Sequence, residues 1–105
     1  MSTEFVNDPV FDQKTGGQQI GEEALVINVV SSDASTALLS GAVNFTGGGL
    51  SGQLTVLGEI DARASSGVVA VTGGTGSFEG AKGEAAYSGA GFTSKVTTIV
   101  VHLTR

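Results

Sequence analysis

Between residues 36 and 46 the apolar positions recur at every second residue. Ala37, Leu39, Gly41, Val43 and Phe45 share one face of an extended chain, and Leu38, Ser40, Ala42 and Asn44 share the other. A period of two predicts a strand with one face turned toward a core. Residues 53 to 61 repeat the pattern, with Leu54, Val56, Gly58 and Ile60 set against Gln53, Thr55, Glu59 and Asp61, interrupted only by Leu57. The Gly47-Gly48-Gly49 run between them predicts a hairpin-type break. Thr93 to Thr104 is rich in β-branched residues, which lose rotamer freedom in a helix and pack well on a pleated surface, so a further strand is predicted there. Ala24 to Val30 and Val68 to Val71 are apolar on both faces, the pattern of wall strands covered from either side. Residues 78 to 90 are dominated by small side chains, with Gly80, Gly83 and Gly89 among them; context predicts a strand, because a tightly wrapped wall uses glycine where the backbone bends or closely approaches another.

Turn signals fall at Gly16-Gly17, Ser31 to Ser35, Gly47 to Gly49, Ala64 to Gly67, Gly73 to Gly76 and Gly89 to Gly91. These breaks divide the chain into about seven strands. No stretch carries a clean helical stripe, so the pattern predicts an all-β sandwich or barrel, and periodicity alone does not separate the two.

Composition narrows the class. The chain has 105 residues, which predicts one domain over residues 1–105. Hydrophobic residues make up 40% and charged residues 14%, the reverse of a disordered composition. The net charge of −5, with five basic residues, argues against binding a phosphate backbone or an anionic membrane surface. The longest mainly apolar run, Ala24 to Val30, falls short of the roughly 20 residues a spanning helix needs, so no membrane span is predicted. The first residues carry two acids and no basic stretch leading into an apolar one, which predicts a cytoplasmic protein if the chain is complete and a secreted one if a signal peptide has been removed. Cysteine is absent, excluding disulfides and thiolate metal sites.

Each motif has a plain structural alternative. Gly73-Gly74-Thr75-Gly76 suggests a phosphate cradle, but Lys82 is followed by Gly83 rather than by the serine or threonine of a phosphate-binding loop, so a tight turn is favoured. Asn44-Phe45-Thr46 fits a glycosylation acceptor, a pattern common by chance. His102 is the only histidine, and with no cysteine beside it a wall or surface histidine is favoured over a metal ligand. Glu59 and Asp61 share a strand face, as acid and base partners must, yet solvated charges on an outer wall show the same spacing.

The stretch Val71-Thr72-Gly73-Gly74-Thr75-Gly76-Ser77-Phe78-Glu79-Gly80-Ala81-Lys82-Gly83-Glu84-Ala85 resembles the most recognisable motif of dirigent proteins and the related allene oxide cyclases. Phe45 to Gly58 is similar to the preceding dirigent hairpin, Phe5 to Pro9 with Ile20-Gly21 to the opening strands, and Val100-Val101-His102-Leu103 to the closing strand. The resemblance runs in the same order over most of the chain. It implies a closed antiparallel β-barrel of about seven to eight strands, usually trimeric, around a largely apolar pocket in which a lipophilic intermediate is folded before ring closure or coupling. It also implies Asp8 as acid or base, against the alternative of an ordinary Asp-Pro turn. Lys82 stands at the arginine of the motif, as an electrostatic anchor partnered by Glu84 or Asp8, or as a surface ion pair. Tyr87 is expected to donate a hydrogen bond into the pocket or simply fill it, and Asn7, Phe45, Phe78 and Glu84 to meet the ligand. Ser77 stands where some dirigents carry a further acid.

The leading expectation is a small cyclase or isomerase that needs no cofactor and no metal. Such catalysis comes mostly from holding reacting atoms close and excluding water. The alternatives are a non-catalytic carrier of an apolar ligand and a structural oligomer with a filled core. The small residues Gly41, Ala42, Gly58, Ala70, Gly83 and Ala85 discriminate: facing inward they leave room, and facing outward they pack subunits.

Overall fold

The computed structural model describes residues 3–12, 17–33, 35–61, 63–89 and 97–104. They form seven strands: β1 (Thr3–Phe11), β2 (Gln19–Val29), β3 (Ala37–Phe45), β4 (Gly52–Ile60), β5 (Ser66–Gly74), β6 (Gly83–Gly89) and β7 (Thr97–Leu103). Each strand pairs antiparallel with the next in the chain, so the order across the sheet is the order of the sequence. Hairpin connections explain this, because a short link returns the chain only beside the strand it has just left. The predicted strands at 36–46 and 53–61 are β3 and β4; of the segment predicted at 93–104, residues 93–96 lie outside the described residues.

The turns are fixed by different chemistry. Between β2 and β3, Asp33 Oδ1 accepts the Ser35 N–H and the Ser31 hydroxyl, both at 3.0 Å, and Ser31 Oγ accepts the Thr36 N–H at 3.0 Å. Those hydrogen bonds, from Ser35 first and then Ser31, hold the Asp33 carboxyl down to about 2. Between β3 and β4, Gly48 and Gly49 take φ values of 66° and 78°, a region open to glycine at no steric cost. Between β4 and β5, Arg63 donates from Nε and Nη2 to the two carboxylate oxygens of Asp61, each at 3.2 Å.

The sheet curls. Register puts Leu39 opposite Gly58 and Val43 opposite Leu54, and carries the same inward face through Leu25, Val71, Ala85 and Val101. This face supplies the core, in which Ile27 is 1% and Leu39 2% exposed, each burial stabilising the fold by about 2 to 3 kcal/mol. Gly41 and Gly58 face inward, where a Cβ would stand 2.7 Å from Leu25 Cδ2 and 2.8 Å from Val69 Cγ1 respectively. Their missing side chains are the space into which Leu25 and Val69 lean, so these glycines are packed rather than vacant. By the same register Gly83 and Ala85 also face inward, while Ala42 and Ala70 face outward.

The all-β antiparallel class is as expected: the sheet order runs from β1 to β7, and the described residues form a curled half-barrel that does not show the closed cylinder in full. Two expectations change. The pattern of Ala24–Val30 and Val68–Val71 predicted cover on both faces, but the described residues form one layer, and the outer face keeps Val68 and Leu57 52% and Val100 49% exposed. The strand predicted over 78–90 begins only at Gly83. Residues Gly76–Phe78 make a short 3₁₀ turn, and Gly76, Gly80 and Gly83 take positive φ, which breaks an extended run.

Candidate functional site

All seven strands contribute to one cavity of about 400 Å³ on the inner face. Its walls are mostly aliphatic, among them Leu25, Leu39, Val43, Leu54, Val56 and Val71. Three acids join them, Asp8, Asp12 and Glu23, together with the Tyr87 phenol, and no lysine, arginine or histidine lines the cavity among the described residues. Asp12 is committed to its turn, where Oδ1 accepts the Gln18 N–H at 2.9 Å.

Asp8 and Glu23 are direct register partners on β1 and β2, flanked by the pairs Val6–Leu25 and Val10–Gly21 on the same face. Partners in an antiparallel pair point to the same side with Cβ atoms about 5 Å apart, so the fold sets two carboxyl groups side by side against an apolar wall. Asp8 is exposed and Glu23 half-buried. Glu23 Oε2 is shielded from solvent with no hydrogen-bond partner among the described residues. Burial first, and then the charge of Asp8, push the Glu23 carboxyl above the usual carboxylate range.

Tyr87 lies on β6 between Gly67 and Ile99 and is 6% exposed. A Cβ on residue 67 would stand 2.7 Å from Tyr87 Cζ, so the ring takes the place of that missing side chain. Burial, followed by the charge of Asp61, raises the phenol. Traced along paired residues, Glu23 leads through Val43 and Leu54 to Gly74 of β5, whereas Tyr87 is paired with Gly67. The acid pair and the phenol therefore enter one cavity toward opposite ends of the strands.

The remaining sequence candidates divide by strand alternation. Phe45 lines the cavity and packs on Phe78, ring centroids 4.7 Å apart; Phe78 is buried in the 3₁₀ turn beneath it and is not among the lining residues. Asn7 follows the opposite face from Asp8, and its amide donates to the Glu23 carbonyl at 3.4 Å. Lys82 is exposed in the loop before β6, where its carbonyl accepts the Thr104 N–H at 2.7 Å. Glu84 is exposed on the outer face, paired with His102 and Ala70. Asp8, Phe45 and Tyr87 thus meet in the cavity, while Asn7, Lys82, Glu84 and Phe78 lie outside its lining. The sequence reading missed Glu23. Its signal was the odd-numbered run Glu23, Leu25, Ile27, Val29, a single acid in register with a buried face.

The glycine motif has a structural task. The N–H groups of Thr75 and Ser77 donate to the carbonyls of Gln53 at 2.9 Å and Ser51 at 2.8 Å, while Thr75 Oγ1 accepts the Gln53 N–H at 3.0 Å. Those of Phe78 and Glu79 close the 3₁₀ turn onto Thr75 and Gly76. A phosphate cradle would need these donors, and they are already engaged within the fold.

Among solved structures, the chain is similar to a pterocarpan synthase dirigent protein, with a TM-score of 0.71 and 21% sequence identity over 94% of this chain. This chain spans 59% of the length of that one. No family model and no curated protein sequence matches it. The likeness shows a dirigent-like fold. Among the described residues no helix is long and apolar enough to cross a membrane.

Proposed function

Starting from its dirigent-like fold, we propose that this chain binds a lipophilic small molecule in the half-barrel and holds it in a reactive conformation for ring closure or stereochemical direction. The observation that carries this reading is the Asp8–Glu23 pair set into an otherwise aliphatic cavity. Two carboxyl groups side by side, of which burial and then the charge of Asp8 raise Glu23, supply an acid and a base together. Glu23, the more buried and the raised carboxyl, serves as the acid and gives a proton to an oxygen of the ligand as the new bond forms. Asp8, at the solvent side, accepts the proton released. Tyr87, its ring packed over Gly67, bounds the far end and limits the ligand's direction. The aliphatic walls exclude water and limit conformations, so no cofactor is required. The solved neighbour is named a pterocarpan synthase, which agrees with chemistry of this kind. A homo-oligomer, with three copies favoured, belongs to the same proposal.

Native mass spectrometry of the purified protein reads subunit number and any retained ligand at once, and Nile red reports an accessible apolar cavity. We expect dye uptake by the wild-type chain and a severalfold loss in Val43→Phe, which fills the wall facing Glu23. Protein that takes up no dye and retains no ligand overturns the proposal. With the retained compound as substrate, Asp8→Asn and Glu23→Gln should each lower turnover by about 10²-fold or more; unchanged rates overturn the acid–base roles.

A further inference from the structure

The cavity's charge is one-sided, and this bears on what it binds. Its described lining carries carboxyl groups from β1 and β2 and no basic side chain, and the chain as a whole is at −5. We infer that the ligand carries, or develops during reaction, a positive charge at the end that sits between Asp8 and Glu23, so that the site selects apolar cations over neutral lipophiles and rejects apolar anions. The inference rests on the reading above that the cavity takes a ligand.

Side by side and partly out of water, the two carboxyl groups repel when both ionised. A protonated amine placed between them removes that repulsion and gives hydrogen bonds to Glu23 Oε2, which has no partner of its own. A carboxylate in the same place adds a third negative charge to a low-dielectric pocket. Among the described residues, the groups facing Glu23 from neighbouring elements offer no compensating charge: β1 offers Asp8, β3 offers Val43, β4 offers Leu54, and Tyr87 enters from the other end. A metal ion is a poorer occupant, since calcium takes 6 to 8 oxygen ligands and no three acids or histidines among the described residues are grouped to hold one.

The test uses three probes with one apolar body: octylammonium, octanol and octanoate, titrated calorimetrically into the full chain at pH 7. The expected order is octylammonium, octanol, octanoate, with about tenfold or more between the first and last. In Glu23→Gln, and independently in Asp8→Asn, the ratio between the charged probes should fall toward one. If octanol binds while octylammonium binds no tighter than octanoate, the inference fails and the ligand-binding reading stands. If none of the three binds, the ligand-binding reading fails and takes the inference with it.

Discussion

Asp8 and Glu23 face each other across the β1–β2 ladder, and both enter the same aliphatic cavity, one at its solvent side and the other half-buried. A carboxyl raised above its unfolded value, near 4.5 for Glu23, binds protons more readily in the folded chain. Its contribution to stability therefore weakens as pH rises from that value through the folded one.

Glu23→Gln removes this penalty. We expect the variant to be more stable than wild type at pH 7 and the difference to vanish by pH 4, read as urea midpoints across the pH range. Asp33 and Asp61 act in the opposite sense: their carboxyls are lowered by hydrogen bonds, from Ser35 and from Arg63 respectively, so their contribution is present at neutral pH and is lost in acid. For Asp33 that loss extends to about 2. A Glu23→Gln chain no more stable than wild type at neutral pH would mean that the buried carboxyl carries no charge penalty.

Gly67 and Tyr87 form one packing unit, because the phenol ring fills the space a side chain at 67 would need. Gly67→Ala should displace the ring and cost about 1 to 3 kcal/mol. Tyr87 is the only tyrosine and tryptophan is absent, so tyrosine emission and near-ultraviolet dichroism report this site without interference. An unchanged spectrum would show that the ring does not depend on the glycine.

The 3₁₀ turn is tied to the start of β4 by Thr75 and positioned by Gly76. Thr75→Val leaves the Gln53 N–H without its side-chain acceptor and should cost about 1 kcal/mol. Gly76→Ala should cost more, since φ is 58° there and a Cβ would stand 2.6 Å from the Ser51 carbonyl oxygen. Equal thermal midpoints for the two variants would contradict this ranking.

The faces of β3 and β4 were legible because a single-layer sheet buries one side and leaves the other wet, and residues 37–45 and 52–60 alternate accordingly. Val68 misled for the same physical reason. An apolar residue on the outer face of β5 reads like one covered by a second layer, and the described residues supply none. At the site, Asp8 could be found through the resemblance carried by Phe5 to Pro9, and Tyr87 as the only tyrosine of the chain. Lys82 and Glu84 could not be placed, since Gly83 between them takes a φ of 147° at a strand start, where counting by two has no fixed origin. Glu23 escaped because its meaning comes from Asp8, which register sets opposite it and which lies 15 residues earlier in the chain.

Phe78 and Phe45 connect the glycine turn to the cavity wall, their rings 4.7 Å apart and tilted by 40°. Phe78 does not line the cavity, so any effect of changing it on ligand uptake must pass through Phe45. Phe78→Leu keeps the turn apolar while removing the ring contact, and a double-mutant cycle with Phe45→Leu should return a coupling of about 0.5 to 1.5 kcal/mol. Nile red affinity should weaken in Phe78→Leu in step with that coupling, because Phe45 loses the surface that holds its rotamer. If affinity is unchanged while the coupling is present, the turn stabilises the sheet without shaping the cavity.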